Sequence, residues 1–371
     1  MHRVVFSMLA CGFILTSTAL ADRDIVLLSG NAAKVTILDG SGTILITDGD
    51  PEPFVFECYD PDLPNDPPAT IEYIGISGTP NGPVTVKVFP GPGHTYGAGC
   101  VKKINLLAAD TGTISGLKIS GDLGDADPNS QDAVNVCNLS GNMDIGGDIV
   151  NVVEIDNVSA NINVAGDVAA ELHFEAITGN IHVTGDIDAD VTIGASNNPG
   201  SFSGDLTVDG EIKEYVRLWC DYSDDIEVKG AIKTEDPNDP NHLARLHFGG
   251  DFSGTATIGD SSDPNDPNTG ILNEGAIKLD GDLSGTLTVY NKVHGTIHSR
   301  QDAAGLCPMS GRIIVNGDLD GGRIYIDGGL DNGSRDDEIL VTGTMSGSSA
   351  IAIDYNGYDK GVTDGYTMIR G

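Results

Sequence analysis

Three successive lines of the chain are nearly the same line. "SGNMDIGGDIVNVVEID" begins at Ser140, "SANINVAGDVAAELHFE" at Ser159 and "TGNIHVTGDIDADVTIG" at Thr178, at a constant offset of nineteen residues. The apolar positions match one for one. Met143, Ile162 and Ile181 make one column, Ile145, Val164 and Val183 a second, and Ile149, Val168 and Ile187 a third. Val153, Leu172 and Val191, then Ile155, Phe174 and Ile193, complete the set. A column at fixed offset is what stacked coils produce, each coil placing the same residue beside its neighbour. Within a line the apolar residues fall at i, i+2, i+6, i+10 and i+12. The i, i+2 pairs are the mark of strands with one buried face, and the i, i+3, i+4 spacing of a helical repeat is absent.

The expected fold is therefore all-β, a single-stranded parallel β-helix, or β-solenoid, with coils of about 19–26 residues. The frame extends upstream to Leu117 and Ile119 and downstream to Leu206, Ile226, Leu246, Ile277, Ile313 and Ile339, with half a coil at Ile297. Insertions such as "DADPNSQD" (125–132), "ASNNPGSFS" (195–203) and "SSDPNDPNTG" (261–270) are rich in Pro, Asn and Asp and read as corner loops. Residues 22–115 show the same strand style, in "KVTILDGSGTILIT" and "GPVTVKVF", at irregular spacing. The division that follows is a leader over 1–21, irregular solenoid coils over 22–115, regular solenoid over 116–355, and a tail or the start of a further coil over 356–371.

The leader resembles an export signal. His2 and Arg3 precede an apolar run, Val4–Leu15, too short to span a bilayer, and Ala19-Leu20-Ala21 offers a cleavage site. No later segment has the apolar length of a membrane span. Of the five remaining cysteines, 58, 100, 137, 220 and 307, none forms a C-x-x-C pair, and Cys58 with Cys100 is the one disulfide suggested. The formal net charge of −35 sets the chain against nucleic acid and anionic lipid. Its expected partners are extracellular polysaccharide or surface proteins.

Lines of the form GxIxVxGDIxxxVxI behind such a leader resemble the parallel β-helix proteins of bacterial surfaces and secretions, a superfamily that includes adhesins and polysaccharide lyases. The resemblance is architectural. It implies a right-handed coil and a secreted or surface location, and it transfers no reaction, because one fold hosts many functions.

Polar columns accompany the apolar ones. Asp122, Asp148, Asp167, Asp186, Asp251, Asp282 and Asp318, with Glu211, occupy one Gly-Asp slot. Stacked carboxylates repel unless compensated. An Asx turn, in which each Asp accepts an N–H of its own corner, is the expected arrangement, and a ladder of cations is the alternative. Asn142, Asn161 and Asn180 form a second column, expected to bond side chain to side chain.

Among the loops, Asp125, Asp127, Asn129 and Asp132 make the best oxygen cluster for calcium, the only cofactor suggested. Asp263, Asn265 and Glu274 imitate an EF-hand, but Pro267 and Asn268 stand where a ligand and the turn glycine belong. No nucleophile elbow, zinc-protease helix or Walker loop occurs, and no catalytic residue is assigned. His173, His182 and His247 flank inward positions and are expected to face solvent, and His294 and His298 lie four apart. In "EYVRLWCDY", Val216 and Leu218 point inward, so Tyr215, Arg217 and Trp219 share the outer face. That row is the candidate ligand patch, since aromatic and guanidinium planes stack on sugars and partner loops. The sequence supports a secreted structural or adhesive protein without catalysis; the alternative is a polysaccharide-binding or polysaccharide-degrading one.

Overall fold

The computed structural model describes the side chains of residues 138–234, 244–263, 266–299, 309–326 and 339–352, with 117, 122–124 and 134, and otherwise the backbone of named strands. Residues 1–21, expected to be an export leader, the Asp125–Asp132 loop, expected to suit calcium, and the side chains of Cys58, Cys100, Cys137 and Cys307 lie outside the described residues. The chain is all-β, with no helix among the described residues, and forms two compact units, residues 1–173 and 174–371.

In the first unit, two parallel sheets grow in alternation. Phe54–Tyr59, Val84–Val88, Leu117–Ile119, Met143–Ile145 and Ile162–Val164 pair in that order in one. Thr43–Gly49, Tyr73–Ser77, Ile104–Leu106, Val134–Leu139 and Val153–Val158 pair in the other. The irregular spacing of residues 22–115 thus conceals the same winding. Its start is different: Ala32–Leu38 runs antiparallel to Thr43–Gly49. The few residues between them cannot make the crossover that parallel pairing needs.

The second unit repeats the scheme. Its first sheet stacks Ile181–Val183, Leu206–Val208, Asp225–Val228, Thr255–Ile258, Thr286–Val293, Arg312–Asp320 and Glu338–Val341. Its second stacks Val191–Ile193, Tyr215–Leu218, Arg245–Phe248, Ala276–Leu279, Thr296–Ser299, Arg323–Asp327 and Ala350–Asp354. A short third face joins them through Ile187, Ile212 and Ile232, each bridged to the next. The inward residues of all three faces are buried, including Ile181, Ile187, Val191, Ile193, Leu206, Ile212, Val216 and Leu218. Complete burial of such side chains contributes about 1.5–3 kcal/mol each, which is why the apolar columns must repeat.

The frame expected after Ile226 is corrected here. Leu246 and Ile277 do not continue the Ile226 column; they stack beneath Val216 in the second sheet. The residue beside Ile226 is Ala256, followed by Leu287. Both sheets carry the same i, i+2 signature, and alanine is a faint marker of an inward position, so the pattern slipped from one face to the other. Ile297 likewise belongs to a full second-sheet strand.

The slip also divides the Gly-Asp column in two. Asp148 N–H donates to Asp122 Oδ1 at 2.9 Å, Asp167 N–H to Asp148 Oδ1 at 2.8 Å, and Glu211 N–H to Asp186 Oδ1 at 2.8 Å. Thr344 N–H meets Asp318 Oδ1 in the same way at 2.8 Å. Asp251 and Asp282 belong to a separate ladder headed by Asp221, with N–H to Oδ1 distances of 3.0 and 2.8 Å. Each carboxylate therefore accepts from the following coil, where an Asx turn would have kept the bond within its own corner. The preceding glycine is required by close approach: a Cβ on Gly210 would collide with Asp186 Oδ1 and the Gly185 carbonyl.

Asparagines use the same device. Asn142 Oδ1 accepts from Asn161 N–H at 3.3 Å and Asn180 Oδ1 from Asp205 N–H at 3.0 Å. In these two bonds the side-chain oxygen accepts from a backbone N–H, where the sequence suggests side chain to side chain. A neutral acceptor serves as well as a charged one because the donor is a peptide N–H that would otherwise be orphaned at a corner.

Candidate functional site

Acidic residues in the second unit are largely spent on pairing between coils. Lys213 Nζ lies 2.7 Å from Asp186 and 3.0 Å from Asp188, and Lys233 lies 2.7 Å from Glu211. Burial favours the neutral amine of Lys213, yet its bonds to Asp186 and Asp188 outweigh burial and hold its pKa above the usual lysine range. No group of three or more potential metal-ligating side chains occurs among the described residues.

The outer face of the second sheet has a different character. Tyr215, Arg217 and Trp219 do share that face, and the 195–203 loop leaves all three part-exposed. That loop bonds to the strand's backbone, Gly200 N–H donating to the Trp219 carbonyl at 3.0 Å. The Arg217 guanidinium stacks 4.0 Å from the Tyr215 ring centre and pairs with Asp190 at 2.5 Å. Arg245, directly beside Tyr215 in register, lies 5.4 Å from the same ring.

Trp219 crosses onto the neighbouring strand. It meets the His247 ring edge-on, with centroids 4.8 Å apart and planes at 70°. Gly249 makes this passage possible, since a Cβ there would strike the indole. His247 is consequently only 6 % exposed, which corrects the expectation that it faces solvent: it points outward from the sheet but is roofed by Trp219. Beneath that roof, His247 Nε2 stands 2.8 Å from Asp280 Oδ2, and Lys278 Nζ is also 2.8 Å from that oxygen. Burial would raise the Asp280 pKa, but the bonds from His247 and Lys278 more than offset it and hold the carboxyl at about 2.

The other histidines do not converge. His182 is exposed, with Nε2 3.1 Å from Asp209, and His173 is half-buried in the first unit. His298 packs against Tyr325 at 5.8 Å, whereas His294 is exposed beside Gly321.

Compared with family models, with curated proteins and with solved structures, the chain matches none.

Strand register extends the candidate patch well beyond its first row. Arg217, His247, Lys278, His298 and Tyr325 form one column across five strands. Tyr215, Arg245, Ala276, Thr296 and Arg323 form the column beside it. Arg245, His247 and Lys278 are hidden in the sequence because the expected frame sets Leu246 and Ile277 in the first sheet. The signal that finds them is simple once Leu246 and Phe248 are known to face inward: Arg245 and His247 alternate with them. A chain of net charge −35 thus carries a face rich in cations and aromatic rings.

Proposed function

We propose that the chain is a secreted structural or adhesive β-solenoid protein of the cell surface, without catalysis. One observation carries this reading: at the coil corners the polar side chains are committed to the neighbouring coil. Asp186, Asp221, Asp251 and Asn180 each give an oxygen to the next coil's backbone. A carboxylate engaged in this way is held rigidly and is not poised to exchange protons with a substrate. The export-like leader and the strongly acidic composition support the location.

A second reading, polysaccharide binding, is favoured by the Tyr215, Arg217 and Trp219 row, whose rings and guanidinium stay part-exposed in a chain with only 5% aromatic residues. One experiment tests both. The chain lacking residues 1–21 is incubated on a glycan array and melted with and without a calcium chelator. The scaffold reading expects intact glycans and a melting point indifferent to chelator. Cleavage of any glycan on the array overturns the absence of catalysis. Retention of glycans without cleavage adds the second reading to the first.

A further inference from the structure

The two columns on the outer face of the second sheet differ in how their charges are used. Arg217 is paired with Asp190, while Lys278 and His247 share Asp280. Neither Arg245 nor Arg323 has a carboxylate partner among the described residues. They occupy the same register column, with Ala276 and Thr296 between them. Three strand steps separate the two, about 14 Å at the usual spacing. Small side chains thus lie between two guanidiniums that no carboxylate among the described residues neutralises, the first of them 5.4 Å from the Tyr215 ring. Tyr215 heads the same register column, and Tyr325 stands two residues along the strand from Arg323.

We infer that this column binds an acidic polysaccharide, laid across the strands, whose anionic groups are taken by Arg245 and Arg323. The inference rests on the second reading above and names the ligand class for that same face. Guanidinium is the cation suited to carboxylate or sulfate, because its planar fork gives two parallel hydrogen bonds. Part-exposed aromatic rings add stacking for flat sugar rings. The strands from Tyr215–Leu218 to Arg323–Asp327 are paired on both sides, so no free edge offers a peptide a place to add a strand. The high phosphate density of nucleic acid meets the overall charge of −35 unfavourably. A polymer with its charges spaced along neutral rings fits both the two guanidiniums and the tyrosine rings that flank the column.

The test is titration calorimetry of the chain lacking residues 1–21 with four probes: a uronate oligosaccharide, a sulfated one, a neutral one of equal length, and poly-L-glutamate. The expected result is binding of the uronate or the sulfated probe, weakened by added salt, with the two arms telling carboxylate from sulfate. The double substitution Arg245→Gln with Arg323→Gln should reduce that affinity at least tenfold. Both residues are at least part-exposed and outside the core, and an unchanged melting curve confirms that the variant folds. Arg245→Lys, which keeps the charge and loses the fork, should fall between. Equal binding of poly-L-glutamate overturns the inference in favour of an acidic protein segment. Binding of the neutral probe, with no effect of the arginine substitutions, overturns it while leaving polysaccharide binding intact. Failure of every oligosaccharide to bind overturns both.

Discussion

The ladder of side-chain oxygens makes a quantitative claim at Asp186. Its Oδ1 accepts from Glu211 N–H at 2.8 Å, and its Oδ2 meets Lys213 at 2.7 Å. Asp186→Ala removes the acceptor and strands a part-buried peptide N–H, for which the expected cost is about 1–3 kcal/mol. At the size of the second unit, about 2 kcal/mol lowers the melting temperature by roughly 4–8 °C. Asp186→Asn keeps an oxygen in the same place, as Asn180 does naturally, and loses only the charge opposite Lys213, which retains Asp188 at 3.0 Å. A part-exposed ion pair is worth about 0.2–1 kcal/mol, so this variant should lose much less. The pH dependence separates the two contributions. Burial alone would raise the Asp186 pKa, but Lys213 and the Glu211 N–H outweigh it and leave it lowered. Its charged form therefore stabilises the fold above the unfolded value near 3.9, and that stability is lost as pH falls through the folded value. Melting followed by circular dichroism from pH 7 to pH 3 should show wild type and Asp186→Asn converging as the solution is acidified. If Asp186→Asn is as damaging as Asp186→Ala at pH 7, the oxygen is not what the neighbouring coil needs, and the ladder argument fails.

Three further outcomes follow from the same geometry. Gly210→Ala should cost about 1–3 kcal/mol in a urea titration, because its Cβ has no room beside Asp186 Oδ1 and the Gly185 carbonyl. Tyr222→Phe removes a hydroxyl whose single proton is shared between the Gly204 and Asp225 carbonyls, at 2.8 and 2.9 Å, while keeping the ring stacked on Phe252 at 6.2 Å. It should cost about 1 kcal/mol by chemical denaturation, without loss of the native circular dichroism spectrum. Burial pushes the Cys220 thiol up to about 11, so the folded chain at pH 8 should resist alkylation there. Peptide mass spectrometry should find Cys220 labelled only after denaturation.

The columns Ile181, Val183, Ile187, Val191 and Ile193 were legible because burial leaves a period that no polar residue can imitate. Leu246 was misplaced because two faces of one coil obey the same period, and only hydrogen-bond register tells them apart. Sequence likewise identified which Asp and Asn residues stack, yet not which N–H each one meets, since the donor's distance varies from 19 to 31 residues with the corner insertions. The Tyr215, Arg217 and Trp219 row was visible as alternation within one strand. Arg245 and Arg323 were not, because their neighbourhood is created by strands that residues 235–243 and 300–308 separate along the chain. His247 shows the remaining gap: an outward position predicts exposure only when no large ring crosses from the next strand.

The direction of the corner ladder has a consequence for how such a stack can be assembled. In the corner ladders of Asp122, Asp148, Asp186, Asp221, Asp251 and Asp318, and at Asn142 and Asn180, the oxygen meets an amide that is later in the chain. A chain entering a new compartment from its N-terminus would therefore present, at its growing corner, carboxylates and amide oxygens that water satisfies readily. The backbone donors arrive with the next coil and find their acceptors already in position, so the completed coils act as a template for the one still being delivered.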